Sequence, residues 1–461
     1  MSAIQDYLDT LQGKRIAVIG AGVSNTPLIR MLLRADLDVT VRDKATRERV
    51  GEIAEELESL GATLILGENY LEDLTEDVIF RTPGLKPGTP QLRAALERGS
   101  EVTSEMELFF RTCPCRLIGV TGSDGKTTTT TLISEFLKAA GYSVYVGGNI
   151  GKPLLPDVAG MEPEDFAVLE LSSFQLMTME QSPHIAVFTN LSPNHLDYHG
   201  TMGEYVTAKE NIFRHQSGED RVIFNYDNQT TRDLASAAPG QRTWFSRQER
   251  LEEGVYLRDG AIWLTNEQGS REVLALQDIL LPGVHNVENY MAAIAAVDGL
   301  VPDKVVREVA RTFNGVEHRI ELVRELDGVR YYNDSIGTSP TRTMACLDSF
   351  EGKVILIAGG YDKGVPFTSL GTAIVEKVKT LVLTGATAKA IRTAVETAEG
   401  YAPGCPDLLE LDDFADAVKA ARAVAEPGDV VILSPACAAF DKFKNFMERG
   451  KYFKELVNQF S

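Results

Sequence analysis

The stretch Thr121-Gly122-Ser123-Asp124-Gly125-Lys126-Thr127-Thr128 constrains this chain more than any other. It follows a short apolar run, residues 116–121, and opens a helix-like run, residues 126–140. A strand, a glycine turn, a lysine and then a threonine at a helix start are the parts that hold a triphosphate. Glycines let backbone N–H groups face phosphate oxygens, Lys126 reaches the terminal phosphates, and the Thr127 hydroxyl is placed to ligate Mg²⁺. The usual pattern has a glycine five residues before Gly125, where this chain has Val120, so the loop is a shortened variant starting at Gly122. An ATP-binding enzyme on an α/β scaffold is the expectation.

The same rhythm of strand and helix runs along the chain. Residues 14–19, 39–42, 64–66 and 78–80 read as strands around helices at 26–34 and 47–60, which implies a parallel doubly wound sheet. Thr82-Pro83-Gly84 and Lys86-Pro87-Gly88 mark turns. A second segment, from about Glu105, adds strands at 116–121, 144–146, 167–171 and 185–189. Residues 221–276 look different: short strands broken by polar turns, a β-rich insert or flank. Helices at 287–300 and 304–313 close that segment. The third segment alternates strands at 329–332, 354–358, 380–383 and 430–433 with helices such as 414–424. The expected architecture is α/β in three domains: a Rossmann-like nucleotide unit at 1–105, a central phosphate-loop ATPase domain with a small β-rich part at 106–315, and a Rossmann-like unit at 316–461.

Charge and composition exclude several partners. A net charge of −20 with no basic run argues against nucleic acid, whose phosphates need a cationic face. No apolar run is long enough to span a membrane, and the first residues lack a secretory signal, so a cytoplasmic protein with no membrane partner is expected. Five scattered cysteines do not make a disulfide framework. Cys113-Pro114-Cys115 lacks a second pair at ligand spacing, and reads as two ordinary linker cysteines.

Several other turns carry chemistry. Gly20-Ala21-Gly22-Val23-Ser24-Asn25 begins like a dinucleotide fingerprint but has Asn25 where the third glycine belongs. Asp43 ends the next strand, at the distance that bonds a ribose hydroxyl. The turn reads as a nucleotide-diphosphate site, with a ligand-free βα turn as the alternative. A nicotinamide-dependent oxidoreductase fits poorly, given Asn25 and the separate phosphate loop. Glu170 ends a parallel strand and is either a Mg²⁺ ligand beside the phosphate loop or a solvated carboxylate. His195, in a polar turn after another strand, is an open candidate for a second metal. Lys209 lies on the next helix, where a surface lysine is the ordinary reading. Asn333-Asp334-Ser335, 359–363 and 434–437 each follow a strand end, so they can converge on one sheet edge. A non-catalytic nucleotide-binding scaffold would leave Lys126, Glu170 and His195 surplus.

With these residues in place, the chain resembles the Mur ligases of bacterial cell-wall synthesis along nearly its whole length. The likeness rests on 121–128, Gly148-Asn149-Ile150-Gly151, 170–175, His195, Gly283-Val284-His285-Asn286 with Asn289, His318-Arg319, Asn333-Asp334-Ser335, 359–363 and the block 434–450, SPACAAFDKFKNFMERG. That block resembles the D-glutamate-adding branch most closely, and no Asp-Asn-Pro-Arg motif of the diaminopimelate- or lysine-adding branch is present. Folylpolyglutamate synthases share the central domain but lack the first. The resemblance implies three small-molecule substrates, namely a UDP-sugar bearing an amino acid, D-glutamate and ATP, joined by a monomer through an acyl phosphate.

The resemblance also assigns roles. Gly122, Ser123, Asp124, Gly125, Lys126, Thr127 and Thr128 would hold the phosphates of ATP. Thr127 and Glu170 would bind one Mg²⁺, and His195 a second, with Lys209 carrying a carbamate. Asn289, Arg319 and Asp334 would clasp adenine, phosphates and ribose. Ser24, Asp43 and Lys44 would meet the uridine diphosphate, and Asn149 and Ser172 the muramoyl part. Thr338, Lys363, Phe440 and Phe446 would surround D-glutamate. Two departures stand out. Many members have a lysine where this chain has Ile336, and a serine where it has Ala439. Either Lys363 then carries more of the glutamate's charge, or the site is arranged differently.

Overall fold

The computed structural model describes residues 2–461 apart from Asn194, His195 and Lys363; the side chains of Leu196 and Asp197 also lie outside the described set. The chain forms three sheets. The first contains β1 (Arg15–Ile19), β2 (Asp38–Asp43), β3 (Thr63–Leu66), β4 (Val78–Phe80) and β5 (Glu101–Thr103). They run parallel in the order β3-β2-β1-β4-β5. The order reverses between β1 and β4, the switch point at whose carboxyl edge doubly wound sheets bind ligands.

The central sheet contains β6 (Arg116–Thr121), β7 (Val144–Gly148), β8 (Phe166–Glu170), β9 (Ile185–Phe188), β10 (Arg221–Asn225), β11 (Gln241–Ser246), β12 (Gly254–Arg258), β13 (Ala261–Asn266) and β14 (Gly269–Ala275). Their order is β14-β13-β12-β11-β10-β9-β6-β8-β7. The middle strands are buried along nearly their full length because helices cover both faces, which explains their unbroken apolar runs. The β-rich stretch 221–276 is a flank of this sheet and not a separate insert. β10 and β11 continue it in parallel, and β12, β13 and β14 finish it as antiparallel hairpins. Asp259 and Gly260, both at positive φ, make the two-residue turn between β12 and β13. The outermost strand β14 carries Arg271 and Glu272, and Arg271 pairs with Asp298 and Asp303.

The last sheet contains β15 (Glu321–Leu326), β16 (Val329–Asn333), β17 (Val354–Ala358), β18 (Val378–Leu383), β19 (Asp407–Glu410) and β20 (Val430–Leu433). They lie in the order β15-β16-β20-β17-β18-β19, with β15 antiparallel and the rest parallel. The turns after β16, β17 and β20 leave from the same edge, as their sequence positions suggested.

The chain divides into two compact units, Met1–Asp278 with Val287–Val309, and Ile279–Asn286 with Ala310–Ser461. The first two sheets therefore share one unit. All five cysteines are free.

Candidate active site

β6 ends on buried Thr121, and the chain turns sharply through Gly122 (φ 148°) and Gly125 (φ 78°) before the helix Lys126–Ala139 begins. Glycine is required at both. A Cβ on Gly122 would collide with the Thr189 hydroxyl and the Asn190 backbone, and one on Gly125 with the Asn289 carboxamide. The loop is held from outside itself. Ser123 N donates to Asn190 O at 2.9 Å, Asp124 N donates to Asn190 Oδ1 at 3.0 Å, and Thr189 Oγ1 donates to Asp124 O at 2.5 Å. Ser123 Oγ donates to Ser192 O at 2.9 Å and lies 3.1 Å from the Tyr205 hydroxyl. Lys126 Nζ reaches back over the loop to Gly122 O (3.0 Å) and Ser123 O (2.8 Å). With the Ser123 and Asp124 amides bonded to Asn190, the helix N-terminus and this lysine are the parts that could receive an anion.

Glu170, the last residue of β8, is 2% exposed, so it is not a solvated loop carboxylate. Its Oε2 accepts from Thr127 Oγ1 at 2.6 Å and its Oε1 accepts from Asn149 Nδ2 at 2.8 Å. The pair Thr127–Glu170 offers two hard oxygen donors beside the phosphate loop, which fits a Mg²⁺ ion that takes its remaining ligands from phosphate and water. Among the described residues no three His, Cys, Asp or Glu side chains gather as a metal cluster. His195 lies outside the described residues.

Lys209 corrects the sequence reading. It is not a surface lysine: it is 2% exposed, and its Nζ donates to Thr121 Oγ1 at 3.0 Å and Gly122 O at 2.9 Å. The ammonium also sits over the Tyr205 ring, 5.0 Å from its centroid. Burial pushes its pKa well below the ordinary lysine value, and Lys126 adds to this, while Glu170 and Asp124 oppose it. Tyr205 escaped the sequence reading. The signal was there: it stands one helical turn before Lys209 on Met202–Arg214, a spacing that puts both side chains on one face.

The other expected residues are placed as follows. Asn289 accepts from Thr129 Oγ1 at 3.3 Å and lies against Gly125. Ser24 and Lys44 are exposed. Asp43 ties its own turn together, Oδ2 accepting from Ala21 N and Oδ1 from Ala45 N, both at 2.7 Å. Asn25 is buried and donates to Ile19 O at 2.9 Å, taking up the space that a third glycine would have left for close helix packing. Ser172 caps the short helix Ser173–Leu176 in a reciprocal capping box with Gln175.

In the second unit, buried Asp334 accepts from Ser434 Oγ at 2.7 Å and Ile320 N at 3.3 Å. Burial pushes its carboxyl up to about 6, while Ser434 and Arg319 pull the other way. Thr338 is half-buried. Phe440 is 64% exposed and stands edge-on to Tyr361, centroids 6.0 Å apart. Phe446 starts the helix Phe446–Asn458 and its carbonyl accepts from Ser335 Oγ at 2.8 Å. Ala439 is buried. Lys363 lies outside the described residues. Arg449, unremarked in the sequence, is buried, and its guanidinium donates to Ser335 Oγ and to the carbonyls of Ser335, Cys437 and Ala438.

Comparison with known proteins places this geometry. The Mur ligase middle domain matches residues 120–297, and a domain described as "Mur ligase, glutamate ligase domain" matches 318–437. The UDP-N-acetylmuramoylalanine–D-glutamate ligase of Acetivibrio thermocellus is 52% identical over 458 residues, 99% of this chain and 98% of that protein. The chain belongs to the Mur ligase family. Like other Mur ligases it is an ATP-dependent ligase of peptidoglycan synthesis, which removes the oxidoreductase and scaffold readings. Proteins of the same name from Ruminiclostridium cellulolyticum and Clostridium kluyveri are 48% and 49% identical over 99% and 98% of this chain, covering 98% of each relative. Among solved structures, the UDP-N-acetylmuramate-alanine ligase of Thermotoga maritima superposes with TM-score 0.58 over 96% of this chain and 99% of that one. At 18% identity it speaks for the Mur ligase fold alone. No helix among the described residues is long and apolar enough to cross a membrane.

Proposed function

We propose that this Mur ligase joins D-glutamate to UDP-N-acetylmuramoyl-L-alanine, as a cytoplasmic monomer built of domains at 1–105, 106–315 and 316–461. The reading is carried by Thr127 and Asn149 converging on buried Glu170 at the phosphate loop, with buried Lys209 bonded to the same loop, in a chain half identical to relatives bearing that substrate in their names. An acceptor carboxylate oxygen attacks the terminal phosphorus of ATP; the bond to ADP breaks and an acyl phosphate forms. The amine of D-glutamate then adds to the acyl carbon, loses a proton, and inorganic phosphate leaves with the C–O bond pair.

Both stages bring anions together, so positioning and positive charge supply most of the catalysis. The loop from Gly122 to Thr128 orients the phosphates, with Lys126 as the point charge. Thr127 and Glu170 are the residues to hold one Mg²⁺, and His195 with a carbamylated Lys209 a second. The metal ions, when bound, screen the phosphate oxygens. Lys209's burial supports the carbamate, because only a neutral amine adds to CO₂, forming the N–C bond and releasing a proton. We assign Asn289, Arg319 and Asp334 to ATP; Ser24, Asp43 and Lys44 to the uridine diphosphate; Asn149 and Ser172 to the muramoyl part. Each Asp43 oxygen accepts one backbone N–H and keeps a second lone pair for a hydroxyl. Thr338, Lys363, Phe440 and Phe446 are assigned to D-glutamate.

Phosphate release with UDP-N-acetylmuramoyl-L-alanine and a panel of amino acids tests the reading. Turnover with D-glutamate well above L-glutamate, D-alanine, lysine and diaminopimelate is expected; preference for any of the others refutes it. Lys363→Ala should raise the D-glutamate KM about 10- to 100-fold and leave the ATP KM nearly unmoved.

A further inference from the structure

Arg81 follows β4 and is 1% exposed, yet no carboxylate among the described residues lies within ion-pair distance of it. A guanidinium taken out of water needs compensation, and here carbonyls and a hydroxyl provide it. Nη1 donates to Thr82 O (3.4 Å), Pro83 O (3.3 Å) and Leu85 O (3.1 Å), which are the carbonyls of the turn after β4. Nη2 points the other way and donates to Phe174 O (3.3 Å) and Thr178 Oγ1 (2.7 Å), in the segment after β8. One planar fork therefore spans two sheets of the same compact unit.

Each end of this link leads to an assigned site. On one side, Thr82 lies against Gly20, where an added Cβ would come within 3.2 Å of it, so the turn 82–85 stands at the β1/β4 switch point next to the turn that Asp43 holds through Ala21. On the other, Phe174 is four residues beyond Glu170, which bonds Thr127 of the phosphate loop. Aromatic side chains close the seam around the arginine. Phe174 packs edge-on against Tyr198 with centroids 4.5 Å apart, the Tyr198 hydroxyl donates to Pro83 O at 3.5 Å, and the Lys86 ammonium lies 4.9 Å from the Tyr198 ring.

We propose that Arg81 is a positioning residue for the acceptor: it fixes the span between the switch point that holds the nucleotide end and the phosphate loop that activates the carboxylate end. The inference rests on the reading that the acceptor is a nucleotide-linked carboxylate bridging those two places. A substrate anchored at one end reacts well only if the distance to the other is right, and an error of about 1 Å in such a span costs roughly 100-fold. Lysine cannot replace the fork, since its donors radiate from one nitrogen and serve one side of the seam at a time.

The test is steady-state phosphate release by the full chain, varying UDP-N-acetylmuramoyl-L-alanine and then ATP. Arg81→Lys should raise the acceptor KM about 10-fold and lower kcat/KM for the acceptor about 10- to 100-fold, with the ATP KM within about twofold of wild type. An unchanged acceptor KM overturns the proposal, even if kcat falls, because loss of folded enzyme lowers kcat in the same way and only a shift in acceptor KM with the ATP KM held marks the acceptor's span. If Arg81→Lys does not fold, Thr178→Val removes one acceptor on the central side and leaves the arginine in place. It should raise the acceptor KM about threefold, and no rise overturns the proposal. Wild-type enzyme that releases no phosphate with this acceptor defeats the functional reading instead, and the comparison is then made with whichever acceptor of a panel drives release.

Discussion

The turn after β1 and the loop after β6 are built from the same parts: a buried parallel strand, a glycine-rich bend and a helix. They differ in where the nearby polar side chains go. At Gly20–Ser24 those groups turn inward, with Asn25 on Ile19 O and both Asp43 oxygens on backbone amides, leaving Gly22, Val23 and Ser24 exposed at the tip. At the phosphate loop, groups from several elements converge from outside: Glu170, Asn149, Lys209, Tyr205, Thr189 and Asn190. The first is a shaped surface that can hold a ligand by contact. The second is a charged centre, set on buried Glu170 and Lys209, that can stabilise a changing charge. Glycine spacing does not separate the two; the company the glycines keep does.

Substitutions in the two turns should therefore fail differently. The largest effect is expected for Lys126→Ala, where losing the point charge should cut ATP turnover roughly 10²- to 10³-fold while the thermal midpoint stays near wild type. Near-normal phosphate release by the folded variant would erase the contrast. Lys209→Ala comes next, with a loss of about 10- to 100-fold, partly restored by millimolar formate or acetate if an anion is what the site needs. A fully active variant would return Lys209 to a packing role. In the other turn, Asp43→Asn sets an amide N–H₂ against one of two backbone donors. It should lower stability by about 1–3 kcal/mol in denaturant titrations and weaken uridine-nucleotide binding by calorimetry, with kcat little changed. Asn25→Gly should move activity least. It restores the third glycine of the dinucleotide pattern, yet it orphans Ile19 O at a cost of about 1–3 kcal/mol and should confer no NAD binding by fluorescence titration. Gain of NAD binding would show that the glycine count, and not its surroundings, selects the ligand.

Much of the scaffold was legible because buried parallel strands are short apolar runs ended by turn residues. Val78–Phe80, Arg116–Thr121, Val354–Ala358 and Val430–Leu433 match their expected bounds. Most of the strands that escaped are at edges, although Gln241–Ser246, polar in its first half, lies inside the central sheet. Glu101–Thr103 is three residues long, and Glu321–Leu326 mixes charge with apolar residues as a helix would. The phosphate loop announced itself by local spacing alone. Glu170 was readable as a strand end but not as a buried acid, because its partners Thr127 and Asn149 are 43 and 21 residues away. Lys209 and Arg81 show the limit most clearly, since nothing near either in sequence signals a lysine or arginine held out of water. The family resemblance named Lys209, and nothing in the sequence pointed to Arg81.

The charges on β14 bear on how the protein behaves in a crowded solution. A large sheet ends in a row of unpaired amides and carbonyls, and an apolar row of that kind recruits strands from other molecules. Here the last strand carries Arg271, leashed to Asp298 and Asp303, with Glu272 beside it. An incoming strand would have to settle beside these charges and strip part of their water to gain its backbone bonds. The charge on Arg271 and Glu272 thus works against edge-to-edge pairing at this rim of the sheet.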